Sequence, residues 1–325
     1  MIEKTAAFGL PNCYRIGNGG AVVTVTTDAG PRILAYALQG GVNVLGEWPD
    51  LKSPTPHGED WRLRGGHRLW AAPESPDITY APDNGPVEAR PETPNRLKLV
   101  QSVDQAGLQK AITVTLDDEG SGVTLQHRIT NKRKEPIRLA PWALTVMRGG
   151  GTAIIPQEPY KSHDDYFLPA RPVILWHYTD PADPRIGWGP RFIRFRSDPT
   201  RKDPTKLGVG NKQGWAAYAV EGLLFVKRFP FKDGAPYPDD GSTCQYYTAG
   251  APLSTIYAAQ MAGALFGMGI GAYLGGVLFD ATGSYTWTVL LSAAASFAAM
   301  AIALALPRYR RGAEPASLEA ALSRQ

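Results

Sequence analysis

The densest run of side chains able to do chemistry lies between Arg64 and Pro86. It reads Arg64-Gly-Gly-His67-Arg68-Leu-Trp70, then Ala72-Pro-Glu74, then Tyr80-Ala-Pro-Asp83-Asn84-Gly-Pro86. A histidine near its ordinary pKa of about 6.5 can give or take a proton at neutral pH. His67 follows two glycines, which would let a ligand approach the backbone closely. The alternative is a loop histidine that fixes a turn by bonding a carbonyl. Arg68 can hold hydroxyls or a carboxylate; so can Arg64, where plain surface charge is the better reading. Trp70 offers an apolar face for stacking a ring, or is simply a core side chain. Glu74 follows a proline and is placed to close the motif through backbone hydrogen bonds. Upstream, Arg32 opens an otherwise apolar strand in Gly-Pro-Arg-Ile-Leu. Asp83-Asn84 reads as an Asx turn.

These residues sit in a stretch, Pro49 to Pro94, where periodicity fails and Pro, Asp and Trp accumulate. A long irregular loop in a compact domain is usually functional or disordered. Trp61, Trp70 and Tyr80 argue against disorder. On either side the chain is β-patterned. Short β-branched runs recur at 21–27, 97–103, 111–116, 123–130, 137–146, 192–195, 215–220 and 223–229. Val123, Leu125, His127 and Ile129 alternate strictly with polar neighbours, as in a half-buried antiparallel strand. Asp118-Glu119-Gly120, Asn131 to Glu135 and Glu221-Gly222 read as hairpin turns. No amphipathic helix of useful length precedes residue 250, so a mainly β, sandwich-like domain is expected.

GGHRLWAAPE, with TYAPDNGPV downstream and DAGPRILAYALQGGVNVLGE upstream, resembles a galactose-mutarotase-like family related to the aldose 1-epimerases. The resemblance covers roughly residues 15 to 250. It implies an antiparallel β-supersandwich with a carbohydrate-sized groove on a concave face. Opening an aldose ring needs one proton delivered to the ring oxygen and one taken from the anomeric hydroxyl. Members supply a histidine acid and a carboxylate base, with a second histidine orienting the sugar. The resemblance thus makes His67 the catalytic candidate, with Arg32, Arg68, Trp70 and Glu74 as sugar-binding candidates. Two departures stand out. Where the family carries a second histidine, on the strand after an Asn-containing turn, this chain has Pro141-Trp142; His163 and His177 lie in other segments. The strand expected to bring the glutamate base is missing, because the β pattern stops at Gly241 to Gly250. A domain of residues 1–250 truncated at its C-terminal end is expected, with an unpaired edge, able to bind sugar but lacking the full epimerase set.

Beyond that point the solvent changes. Gly241 to Phe279 and Ala281 to Pro307 carry no Asp, Glu, Lys or Arg, with Asp280 alone between them. The mean hydropathy of −0.22 averages this tail with a polar domain. A bilayer core is about 30 Å thick and takes about 20 apolar helical residues to cross. Segments 255–279 and 287–306 each meet that length, giving an expected transmembrane hairpin over 251–312 and a tail over 313–325. Arg308, Arg310 and Arg311 follow the second span and the connecting loop has no positive charge. The positive-inside rule therefore places both the C-terminus and the N-terminal domain in the cytoplasm, at an inner or plasma membrane. The N-terminus shows no apolar signal-peptide region. Gly263, Gly267, Gly271 and Gly275 recur every fourth residue, a face for close approach of a partner helix within the lipid bilayer. The stretch GAYLGGVLFDATGSYTWTVLLSAAASFAAMAIALALPRYRR resembles the last two transmembrane helices of major facilitator superfamily transporters. A full transporter needs many more spans, so transport by two alone is not expected.

A formal charge of +4 without a basic stripe argues against nucleic-acid binding. Lys132-Arg133-Lys134 reads as a solvated turn. Cys13 and Cys244 have no metal-type spacing and read as reduced thiols. No P-loop, dinucleotide fingerprint or zinc-protease motif occurs, so no cofactor or metal is expected. Three readings follow: a membrane-tethered carbohydrate-binding domain; a transporter fragment fused to a mutarotase-like domain, working only with partner helices; or an accidental join of two truncated genes with no selected function, the junction falling near Gly250.

Overall fold

The computed structural model describes residues 1–249, which lie within one compact unit. Segments 255–279 and 287–306, the four glycines from Gly263 to Gly275 and the tail 313–325 fall outside the described residues. Among those described, no helix is long and apolar enough to cross a membrane.

The described chain is mainly β. Its strands are β1 (Ile2–Ala7), β2 (Leu10–Gly17), β3 (Ala21–Thr26), β4 (Arg32–Leu38), β5 (Glu47–Ser53), β6 (Trp61–Gly65) and β7 (His67–Ala72). Then come β8 (Val87–Thr93), β9 (Arg96–Gln101), β10 (Leu108–Leu116), β11 (Val123–Asn131), β12 (Ala140–Thr145), β13 (Thr152–Pro156) and β14 (Val173–Leu175). The series ends with β15 (Ile186–Gly187), β16 (Phe192–Arg196), β17 (Thr205–Val209), β18 (Trp215–Val220), β19 (Leu223–Arg228) and β20 (Cys244–Thr248). Two single helical turns, Pro76–Thr79 and Pro238–Gly241, are the only helices among the described residues. Each expected β-branched run before residue 250 falls on a strand.

The ladders are antiparallel. A six-stranded sheet, β1-β2-β3-β4-β7-β12, faces a four-stranded one, β11-β10-β9-β8. Their shared core contains Ile16, Val23, Ile33 and Leu69 from the first sheet and Leu97, Leu99, Ile112 and Val114 from the second. A five-stranded sheet, β15-β16-β13-β18-β19, and a three-stranded one, β14-β17-β20, enclose a separate core of Ile155, Ile193, Phe195, Leu207 and Val209. β18 and β19 join through Glu221 and Gly222, with φ of 50° and 73°. Two consecutive left-handed residues are what a tight hairpin with native strand twist requires. Ile112 is fully enclosed at the centre of the first core. Ile112→Val is expected to lower stability by about 1 kcal/mol, one buried methyl group, read as a shift in the urea midpoint without a change in slope.

Two expectations are corrected. Pro49 to Pro94 is not one irregular loop, since it holds β5 to β8, with the one helical turn Pro76–Thr79 in the connection from β7 to β8. Its strands escape pattern reading because β7 is buried on both faces, and arginine and histidine take positions where alternation predicts apolar residues. Asn131 to Glu135 is not a hairpin turn either. β11 pairs with β10 and β12 pairs with β7, so the chain there crosses from one sheet to the other.

Candidate functional site

Three of the expected site residues, His67, Arg68 and Trp70, lie on β7, which divides them between its two faces, while Arg32 lies on β4 and Glu74 beyond the end of β7. Successive strand residues point in opposite directions, so His67 and Leu69 face one way while Arg68 and Trp70 face the other. Register with the neighbours agrees: Ile33 and Thr145 lie opposite His67, Arg32 opposite Arg68, and Trp142 opposite Trp70. Leu69 and Ile33 belong to the core between the first two sheets. Trp70 belongs to a cluster with Trp61 and Leu63 beneath the β5–β6 hairpin.

On the Trp70 face the arginines are engaged. Arg32 is fully enclosed, bonds the Leu63 carbonyl and the Gly65 carbonyl (3.1 Å), and pairs with both oxygens of Asp83 at 2.7 and 2.6 Å. Trp61 Nε1 donates to the same carboxylate at 2.8 Å. Asp83 is therefore a buried counter-ion and not part of an Asx turn, and Asn84 bonds the 60–62 backbone instead. Burial alone would raise the Asp83 pKa, but Arg32, Arg68 and the Trp61 hydrogen bond together hold it below the ordinary carboxylate value. The Arg68 guanidinium lies over the rings of Trp61 (4.2 Å) and Trp70 (5.0 Å). Gly65 and Gly66 have φ of 77° and 72°. A side chain on either would collide with the Gly46 or Ile33 carbonyl, so these glycines admit neighbouring backbone.

Glu74 lies just past the end of β7. It accepts from the Tyr80 hydroxyl and pairs with Lys206 at 3.1 Å. The Lys206 ammonium is 4.0 Å from the Trp176 ring centre and 5.1 Å from that of Trp142. This pair of aromatic faces is filled by the protein's own lysine.

The His67 face is different. His67 Nε2 lies 2.8 Å from Nε2 of His127, which reaches across from β11 in the opposing sheet. His67 Nδ1 lies 2.8 Å from Thr145 Oγ1. Lys227, on β19, donates to that hydroxyl at 3.0 Å and to the Ala143 carbonyl at 2.8 Å. An ammonium only donates, so the Thr145 hydroxyl accepts from Lys227. With two lone pairs and one hydrogen, that hydroxyl can bond His67 Nδ1 in either direction, so the tautomers of the two imidazoles are set as a pair. In either case one hydrogen lies between the facing Nε2 atoms. His67 is buried, whereas His127, Thr145 and Lys227 are half-buried and give the cluster an accessible side.

Burial dominates the titration here. It holds His67 well below its ordinary 6.5, aided by Lys227, His127 and Arg68, and it brings His127 down to about 4, aided by Lys227. Burial also brings Lys227 down to about 8, slightly opposed by Cys244 of β20. It raises the Cys244 thiol above its ordinary value. At neutral pH both imidazoles are uncharged and can donate and accept hydrogen bonds, but their lowered pKa values lie far from the near-neutral value that general acid–base work favours. Among the described residues no carboxylate bonds either imidazole or Lys227, and no His, Cys, Asp and Glu grouping can hold a metal.

A second histidine does stand beside His67, on β11 rather than on β12. The remaining histidines are elsewhere: His57 bonds the Asp77 carbonyl, His163 is exposed against Phe167, and His177 is exposed. Both cysteines are free thiols. An open depression of about 420 Å3 near His57, Asp77, Arg133 and Glu135 is lined by mixed surface charges and contains none of these groups. The chain matches no family model, no curated protein and no solved structure.

Proposed function

We propose that the β domain is a carbohydrate-binding module of galactose-mutarotase-like architecture, with the sugar meeting the His67–His127 pair. The observation that carries this reading is the 2.8 Å contact between two imidazoles from opposing sheets, continued through Thr145 to Lys227. A sugar hydroxyl both donates and accepts, so it can accept from the Lys227 ammonium and bond the His127 imidazole. Two β-sandwich cores in one unit are compatible with a supersandwich. His67, being buried, acts on a ligand through His127, which is the group in reach. Aldose epimerisation would also need a base for the anomeric hydroxyl. With no carboxylate at the cluster among the described residues, the reading is binding first, with epimerase activity an added property to be assayed.

The same reading tethers the domain to the cytoplasmic side of a membrane through 255–279 and 287–306. It rests on their length without charge and on the arginines that follow them. The second reading, a transporter-derived hairpin fused to a mutarotase-like domain, draws on GGVLFDATGSY between the two segments.

The test is a thermal melt of the full chain in detergent with a panel of aldoses, followed by near-UV circular dichroism. One sugar should raise the midpoint by mass action, and His127→Gln should remove that shift while the unliganded spectrum is retained. A melt that no sugar moves at any concentration would overturn the carbohydrate reading.

A further inference from the structure

Four buried cations in this domain pair with carboxylates, while a fifth, Arg68, lies over the rings of Trp61 and Trp70. Arg32 pairs with Asp83, Lys110 with Asp104 at 2.8 Å, Arg185 with Asp183 at 2.6 Å, and Lys206 with Glu74 at 3.1 Å. This is the usual solution, since a desolvated charge is costly unless paired. Lys227 departs from it. Its ammonium bonds only the Ala143 carbonyl and the Thr145 hydroxyl, and among the described residues no carboxylate is within ion-pair reach. The titratable groups around it are His67 of β7, His127 of β11 and Cys244 of β20, with Arg68 acting on His67 from the far side of β7. None carries negative charge at neutral pH, since burial keeps the Cys244 thiol protonated.

Two polar positions are left over. An ammonium has three hydrogens and two are engaged, and Nδ1 of His127 has no hydrogen-bond partner among the described residues. Both belong to half-buried residues. We propose that this site binds a sugar acid, a uronate or aldonate, whose carboxylate pairs with Lys227 while a hydroxyl bonds Nδ1 of His127. The proposal rests on the carbohydrate reading and names the charged class within it. A carboxylate fits better than a phosphate, because a phosphate dianion would bring three oxygens and two charges to one free ammonium hydrogen.

The experiment is isothermal titration calorimetry of the full chain in detergent at pH 7, comparing glucuronate and galacturonate with glucose and galactose, and with glucose 6-phosphate. One uronate should bind about tenfold or more tighter than its matching aldose, the size of one charge-assisted hydrogen bond. Lys227→Met should bring that ratio to about one, and Lys227→Arg should retain a preference, with near-UV circular dichroism reporting that both variants are folded. Uronate affinity should also fall as pH rises through about 8, where the unliganded ammonium loses its proton. Aldoses that bind as tightly as uronates would overturn the proposal while leaving the carbohydrate reading intact, and a tighter sugar phosphate would overturn it in favour of phosphate. Binding of no sugar of any class would overturn both.

Discussion

Replacing Asp83 with alanine is expected to destabilise the β domain by about 3–5 kcal/mol, the cost of leaving one member of a buried pair uncompensated. The Arg32 side chain has 0% exposure and that of Asp83 11%, so water cannot take the missing partner's place. The same carboxylate accepts from Trp61 Nε1, so the substitution also strands a buried indole donor. Asp83→Asn should cost less, because an amide oxygen can still accept from Trp61. The double variant Arg32→Met with Asp83→Leu should recover part of the loss by removing both charges together. Urea unfolding followed by tryptophan fluorescence reads all three. A loss below 1 kcal/mol for Asp83→Ala would show that the pair is solvated and that Arg32 is open to a ligand after all. The pair also sets an acid limit: the unfolded carboxyl takes a proton near its ordinary 3.8 while the folded one resists. Its stabilisation is complete above that pH and is lost as pH falls towards the folded value.

How much of this was legible in sequence differs between the fold and the site. β11 and β19 have one exposed face, so period-2 alternation survives in them, while β10 and β18 were visible as short runs rich in β-branched or aromatic residues. β7 was hidden because both its faces are covered, one by the opposing sheet and one by the β5–β6 hairpin. A short run rich in Gly, His and Arg carries no pattern then, and it read as a loop with its side chains pooled into one site. The split between His67 and the group of Arg68 and Trp70 follows only once the run is known to be a strand. His127 did leave a signal. It occupies the apolar face of Val123, Leu125 and Ile129, where a titratable side chain needs a partner. Lys227 left the same signal, sharing a face with Leu223 and Phe225. Neither could be joined to His67 from sequence. β7, β11 and β19 belong to three different sheets, and how those sheets pack is a tertiary fact. Asp83 was misread for a related reason: its partner, Arg32, is on a strand 51 residues earlier.

Acid should unfold this domain in a window set by the histidine pair. Unfolded histidine takes a proton near 6.5, whereas folded His127 does so at about 4 and His67 lower still. Between those values the unfolded chain holds more protons than the native one, so stability falls as pH falls. Each histidine contributes about 1.4 kcal/mol per pH unit across that window, or roughly 3 kcal/mol for His127, somewhat less where solvent reaches it. Two such groups draw on most of a typical domain stability of about 5–15 kcal/mol. Lys227 does not enter, because it is protonated in both states below its folded value of about 8. Asp83 titrates below the window, near or under 3.8. The facing Nε2 atoms add a steric reason for cooperativity: two imidazolium rings cannot keep a 2.8 Å nitrogen contact, since neither has a lone pair to accept. The first proton can be held with the bridge intact, one imidazolium donating to one neutral imidazole, whereas the second must break the bridge between the two sheets and expose the core beside it. Urea midpoints measured from pH 7.5 to 4.5 should therefore fall steeply for the wild-type chain, and His127→Gln should flatten the slope by about one proton. An unchanged slope in that variant would mean that the imidazoles are already solvated and charged, and the enclosed neutral pair would have to be abandoned.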